Sequence, residues 1–185
     1  MHMISIVIPV FNEHESLHEL YIEINKVINE YNDWEIIFID DGSSDGSSEK
    51  IIDILSKDSK VKLIKFYRNF GKSAALAEGF KYANGDIIIT MDADLQDDPA
   101  EIPSLISKIN EGFDLVSGWK KIRHDPWNKT LPSKIFNFFT RLLTGVKIHD
   151  FNCGLKAYKA SVIKSIEVFG GRHRYIPAIA GQKNF

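Results

Sequence analysis

The chain begins with a short, β-branched apolar run, Ile4-Ser5-Ile6-Val7-Ile8-Pro9-Val10, which predicts a buried parallel strand. From Glu15 to Tyr31 the apolar positions are Leu17, Leu20, Ile24, Val27, Ile28 and Tyr31, the spacing of a helix with one face toward a core. Glu35 to Ile39 predicts a second strand, and Asp40-Asp41-Gly42-Ser43 a turn. Ser44 or Asp45 can cap a helix running to about Lys57, because either side-chain oxygen can accept from the first unpaired N–H groups. Val61 to Phe66 predicts a third strand, and Ser73 to Tyr82 a helix stopped by Asn84-Gly85. Ile87 to Met91 predicts a fourth strand, Pro99 to Asn110 a helix with proline in its first turn, and Asp114 to Gly118 a short fifth strand.

Strands and helices alternating at this spacing predict an α/β protein, a layered sheet of mainly parallel strands flanked by helices. In such sheets ligands bind beyond the carboxyl ends of the strands. That rule gathers three polar clusters on one rim: Asn12-Glu13, Asp40-Asp41 and Asp92-Ala93-Asp94. Turn chemistry accounts for any one of them, but three at successive strand tips point to a site. Asp92 and Asp94, one residue apart, repel each other unless a cation compensates. A hard divalent metal does so, and one held by few carboxylates keeps positions for substrate phosphates. Gln96 can add a neutral oxygen ligand.

With 185 residues, the chain fits a single domain, 1–185, with a substantial core. Its 44% hydrophobic and 26% charged content is that of a soluble globular protein, and the net charge of −2 argues against nucleic acid as a partner. The charge is uneven. Trp119 to Lys147 holds seven basic residues, among them Lys120, Lys121 and Arg123, against one acidic residue, Asp125, which suggests one anionic partner at one place. Ser133 to Leu143 reads as an amphipathic helix with a basic side, suited either to packing on the domain or to a membrane surface. Arg172, His173 and Arg174 form a second basic cluster. The single cysteine, Cys153, has no intrachain disulfide partner, which fits a reducing compartment; it reads as a small packed residue. No secretory signal and no apolar run of membrane-spanning length is visible, so a soluble piece is expected.

In order along the chain, Val7-Ile8-Pro9-Val10-Phe11-Asn12-Glu13, Asp40-Asp41-Gly42-Ser43-Ser44-Asp45-Gly46, Arg68-Asn69-Phe70-Gly71-Lys72, Met91-Asp92-Ala93-Asp94-Leu95-Gln96-Asp97 and Asp150-Phe151-Asn152-Cys153-Gly154-Leu155-Lys156 resemble the family 2 glycosyltransferases. The similarity is strongest to the polyprenyl-phosphate glycosyltransferases of the dolichol-phosphate mannose synthase group and covers residues 4 to about 180. It implies a GT-A, Rossmann-like fold, a nucleotide-sugar donor carrying a UDP- or GDP-linked hexose, a Mg2+ or Mn2+ cofactor, a polyprenyl-phosphate acceptor and inversion at the anomeric carbon. The expected place of action is the cytoplasmic face of the membrane. On this reading residues 1–118 form the nucleotide-sugar-binding half. Residues 119–185 form the acceptor- and membrane-facing half, expected to be truncated at its C-terminus, since relatives commonly continue further.

By matched position, the resemblance places Pro9, Phe11 and Glu13 at the donor base, and Asp41 or its neighbour Asp40 at the base or ribose. Lys72, with Arg68, falls near phosphate. Asp92 falls by the donor or, indirectly, the metal, with Ala93 between it and Asp94, while Asp94 and Gln96 coordinate the ion. Lys120, Lys121 and Arg123 would meet the acceptor phosphate; the family often has arginine where Lys120 stands, and the two are not interchangeable. A lipid phosphate is already anionic and needs no strong base. A saccharide hydroxyl does, and Asp150 is the candidate, with a loop-capping role equally open. Transfer to a saccharide hydroxyl and a non-catalytic nucleotide-sugar-binding fragment are the alternatives. A phosphoacceptor signalling domain fits less well, since its acidic pair is expected after the first strand and here follows the second.

Overall fold

The computed structural model describes residues 2–118, 153–166, 172–183 and 185. β1 (Ile4–Val10) alternates its faces as a strand must: Ile4, Ile6, Ile8 and Val10 enter one apolar cluster and Val7 the other. α1 (Leu17–Ile28) buries Leu17, Leu20, Ile24 and Ile28 at helical spacing, and is shorter at both ends than the periodicity predicts. β2 (Trp34–Asp40) is buried throughout. α2 (Ser47–Leu55), β3 (Val61–Lys65), α3 (Lys72–Tyr82) and β4 (Ile87–Thr90) follow in order. A 3-10 turn, Pro99–Glu101, leads into α4 (Ile102–Asn110), and β5 (Leu115–Ser117) comes next. The cap position of α2 is Gly46, in the left-handed conformation, rather than Ser44 or Asp45. Asp45 still serves this terminus, accepting from the Ser47 N–H at 3.0 Å.

The strand order is β3-β2-β1-β4-β6-β5. The first four strands are parallel, and β6 (Lys156–Lys159) is antiparallel to both β4 and β5. The periodicity does not predict β6: four residues, Lys-Ala-Tyr-Lys, carry no apolar alternation, yet Lys156, Ala157 and Tyr158 are buried. α5 (Ala160–Ser165), a 3-10 turn Arg172–Tyr175 and α6 (Ile176–Gln182) complete the described chain. The expected helix at Ser133 to Leu143, together with Lys120, Lys121, Arg123, Asp150 and the Arg172 side chain, lies outside the described residues. Among the described residues no helix is long and apolar enough to cross a membrane.

The sheet is the middle of three layers. One face packs α1, α2 and α4 through Leu20, Ile24, Ile51, Ile102 and Leu105; the other packs α3, α5 and α6 through Ala75, Leu76, Val162, Ile163 and Ile176. Each fully buried isoleucine or leucine contributes roughly 1.5–3 kcal/mol. α3 lies so close that a Cβ on Gly79 would stand 2.4 Å from Val7 Cγ1 and 2.7 Å from Ile39 Cδ1.

At the amino end of the sheet, Ser5 and Glu35 are cross-strand partners. The buried Glu35 carboxylate accepts from the Ser5 hydroxyl at 2.6 Å, the Lys62 ammonium at 2.5 Å and the Asn84 N–H at 2.8 Å. Ser5 Oγ in turn accepts from the Gly85 N–H at 2.8 Å, tying the end of α3 to the sheet. Burial alone would raise the Glu35 pKa; the hydrogen bonds from Lys62, Ser5 and Asn84, with the Lys62 charge, outweigh it and hold the carboxyl below its ordinary value. A depressed carboxyl stabilises the fold above its unfolded pKa, about 4.3, and loses that contribution as pH falls through the folded value. Glu35→Ala is expected to cost about 2–3 kcal/mol in urea denaturation at neutral pH. The gap between the parent and Glu35→Gln should narrow as acid is added below about pH 4; a constant gap would contradict this account.

Candidate active site

The aligned ends of the parallel strands form a cleft of about 270 Å³, lined by Pro9, Val10, Phe11, Glu13, Asp41, Asn69, Gly71, Lys72, Asp92, Ala93 and Asp94. Register explains the gathering: Val10 pairs with Asp40 and Val7 with Thr90, so β1 and β2 end together while β4 stops three residues short of β1, and the residues that follow it, Asp92 to Asp94, reach the cleft beside Pro9 to Phe11. The loops are then laced together. The Asn12 N–H donates to Ser43 Oγ at 2.9 Å, the Ser44 N–H to Asn12 Oδ1 at 2.9 Å, the Glu13 N–H to Ser47 Oγ at 3.0 Å and the His14 N–H to Asp45 Oδ2 at 3.0 Å. Phe11 is left 47% exposed on this shelf, a flat apolar surface facing the cleft.

The two adjacent aspartates after β2 part ways. Asp40 is fully buried and outside the lining; its carboxylate accepts from the Ser43 N–H at 2.9 Å and from the Ser48 hydroxyl. The expectation that either residue could face a ligand thus narrows to Asp41. Asp41 reaches the cleft, and its two oxygens accept from the Phe70 and Gly71 N–H groups at 2.7 and 2.8 Å. It therefore fixes the turn that launches α3. Arg68 stays outside the lining, exposed, with its guanidinium 4.8 Å from the Phe70 ring centroid.

Lys72, the first residue of α3, forms a partly buried ion pair with Asp92. Asp94 is exposed, and its Oδ1 accepts from the Gln96 N–H at 3.1 Å. The residue between them, Leu95, has φ 59°, a left-handed backbone that costs a non-glycine residue on the order of 1 kcal/mol. The Gln96 side chain is exposed and outside the lining. Burial first, then the charges of Asp94, Asp45 and Asp92, raise the Glu13 carboxyl above its ordinary value, against a hydrogen bond from Ser16. Acidic groups therefore crowd one rim. Among the described residues no three histidine, cysteine or acidic side chains are grouped closely enough to hold a metal by themselves. The donor set fits a hard cation that takes most of its oxygens from phosphate and water, held by one or two carboxylates.

Three contacts here are not announced by the sequence, although Gly154 and Lys156 fall in the matched run Asp150 to Lys156 and His173 in the second basic cluster. Gly154 lies against Asp92: a Cβ there would stand 2.5 Å from Asp92 Cγ, and the Gly154 carbonyl accepts from Thr90 Oγ1 at 2.8 Å. Lys156 is buried and donates to the Cys153 carbonyl. His173 meets Ser73, with its Nδ1 2.7 Å from Ser73 Oγ. Burial, then the charges of Lys72, Arg174 and Lys156, push His173 down to about 4, with Asp92 acting the other way. Cys153 is buried, its Sγ 3.9 Å from Asp97 Oδ1, as expected of a packed residue.

Residues 5–167 match the model of the family described as glycosyl transferase family 2. A dodecaprenyl-phosphate galacturonate synthase from Rhizobium johnstonii is 39% identical over 183 residues, covering 96% of this chain and 54% of that protein. An undecaprenyl-phosphate 4-deoxy-4-formamido-L-arabinose transferase from Salmonella choleraesuis is 41% identical over 179 residues, covering 96% of this chain and 55% of that protein. The chain thus spans about half the length of the curated relatives it matches. Among solved structures, glucosyl-3-phosphoglycerate synthase from Mycobacterium tuberculosis with Mn2+, UDP and phosphoglyceric acid superposes with a TM-score of 0.75 at 20% identity, covering 100% of this chain and 64% of that one. A mannosyltransferase from Pyrobaculum calidifontis with GDP-mannose and Mn2+ gives 0.68 at 18% identity, covering 91% and 48%. These two likenesses concern the fold, which is of GT-A type. With the family model matched over most of its length and the parallel-strand cleft in place, the chain belongs to glycosyl transferase family 2.

Proposed function

We propose that this chain carries the donor site of an inverting glycosyltransferase that moves a sugar from a nucleotide sugar to a polyprenyl phosphate at the cytoplasmic membrane face. The observation that carries the reading is the convergence of Phe11, Glu13, Lys72, Asp92 and Asp94 on one cleft. An aromatic surface, a cation at a helix start and paired carboxylates match, in order, a base, a diphosphate and its counter-ion. The polyprenyl-phosphate sugar transferases among the relatives support the acceptor class. Residues 1–118 are read as the donor half and 119–185 as the acceptor half, with Lys120, Lys121 and Arg123 meeting the acceptor phosphate. UDP and GDP-mannose in the structural neighbours are consistent with either nucleotide.

In this reading Phe11 stacks on the base beside Pro9 and Glu13. Lys72 and the first N–H groups of α3 face the diphosphate, and Asp92 orients the donor while keeping Lys72 in place. Asp94, with Asp92 beside it and Gln96 after it, would hold Mg2+ or Mn2+, which when bound offsets the charge building on the departing diphosphate. The acceptor oxygen approaches the anomeric carbon from the face opposite the leaving group, which inverts its configuration. A phosphate acceptor is anionic near neutral pH and surrenders no proton, so the protein needs to supply orientation and charge rather than a strong base.

A thermal-shift panel of UDP- and GDP-sugars with and without Mn2+ tests the donor site. One nucleotide class should stabilise the protein only with metal, and Asp94→Ala should abolish that shift; an unchanged shift in Asp94→Ala removes the metal assignment. Gly154→Ala must displace Asp92 or its own loop, and is expected to lower donor affinity at least about tenfold, equal to about 1.4 kcal/mol, measured by calorimetric titration. For the acceptor, the full-length protein given radiolabelled donor and polyprenyl phosphate should yield a lipid-linked product whose sugar–phosphate bond breaks in mild acid. Product on a saccharide hydroxyl alone would refute the lipid acceptor.

A further inference from the structure

The contact between Ser73 and His173 joins positions 100 residues apart, and sits where the described C-terminal segment meets the start of α3. Ser73 is buried and directly follows Lys72. His173 belongs to the 3-10 turn Arg172–Tyr175, which runs into α6, whose Ile176 and Ala180 pack in the same apolar cluster as Ala75 and Leu76 of α3. Ser73 Oγ accepts from the His173 N–H at 3.4 Å and lies 2.7 Å from Nδ1. Where the serine donates its own hydrogen to Nδ1, the imidazole proton lies on Nε2 and the ring is neutral. A neutral ring held this way is a fixed strut beside Lys72. It adds no second positive charge to compete for Asp92.

We propose that His173 is a positioning residue: through Nδ1 and Ser73 it fixes the first turn of α3, and so holds Lys72 where it meets Asp92 and a bound diphosphate. The inference rests on the reading of the cleft as a nucleoside diphosphate site. It assigns to the C-terminal segment a part in the donor half of the molecule, through geometry rather than through direct contact with ligand.

The test is calorimetric titration of the chain with UDP, GDP, uridine and guanosine in Mn2+. For whichever diphosphate the parent binds, His173→Ala and Ser73→Ala should each weaken binding about tenfold, and the double variant no further. Affinity for the matching nucleoside should be unchanged, because the base end of the cleft lies at Phe11. His173→Asn should restore binding, since its amide oxygen stands close to where Nδ1 stood, whereas His173→Gln, reaching toward the Nε2 position, should not. In a Lys72→Ala background His173→Ala should have no added effect. Equal loss of nucleoside and diphosphate, rescue by glutamine but not asparagine, or a full His173→Ala effect without Lys72 would each overturn the proposal. If His173→Ala does not fold, the asparagine and glutamine variants decide. A parent that binds neither diphosphate removes the donor-site reading and this inference with it; a parent that binds while His173 variants match it removes the inference alone.

Discussion

The parallel register of β1, β2 and β4 is the constraint from which the rest follows. A parallel ladder fixes the offset between neighbours, and here it sets Val10 opposite Asp40 and Val7 opposite Thr90. The side chains just past those ends have no freedom to spread. Glu13, Asp92 and Asp94 are held within electrostatic reach of one another, and burial first, then the charges of Asp94, Asp45 and Asp92, raise the Glu13 carboxyl. Repulsion between part-exposed carboxylates is of the order of 1 kcal/mol or a few, whereas the strands carrying them are anchored by more than a dozen buried isoleucines, leucines and valines at roughly 1.5–3 kcal/mol each. The core therefore dictates the geometry, and the charges must accept it. Lys72 supplies part of the compensation from the neighbouring helix.

Rigidity at the site comes from short polar side chains rather than from apolar packing. Ser43, Ser44, Ser47 and Asp45 after β2 bond to Asn12, Glu13 and His14 after β1, and Asp41 spans to the backbone of Phe70 and Gly71 after β3. Three loops that would otherwise move independently become one shelf. That shelf presents an aromatic ring, Phe11, about half exposed, toward the cleft.

Much of this was legible in the sequence because its signals are local. The strands of the first half show as β-branched runs, and Asp94 shows as a carboxylate at a strand tip. Asp40 and Asp41 show only as a pair. Their division of labour depends on which side of the strand end each faces and on which serines and N–H groups lie there, and adjacent identical residues cannot reveal that. β6 escapes because its burial comes from two flanking strands, not from its own composition. Gly154 against Asp92 and Ser73 against His173 are contacts between positions 62 and 100 residues apart, and nothing in either stretch announces the other. The GT-A fold was recognisable from motif order; the way the second half braces the first was not.

β6 enters the sheet between β4 and β5, and the Gly118 N–H donates to the Leu155 carbonyl at 2.9 Å. The end of β5 is thus clasped to the start of β6, one residue from the Gly154–Asp92 contact. A change at this clasp therefore reaches Asp92, on the rim of the cleft.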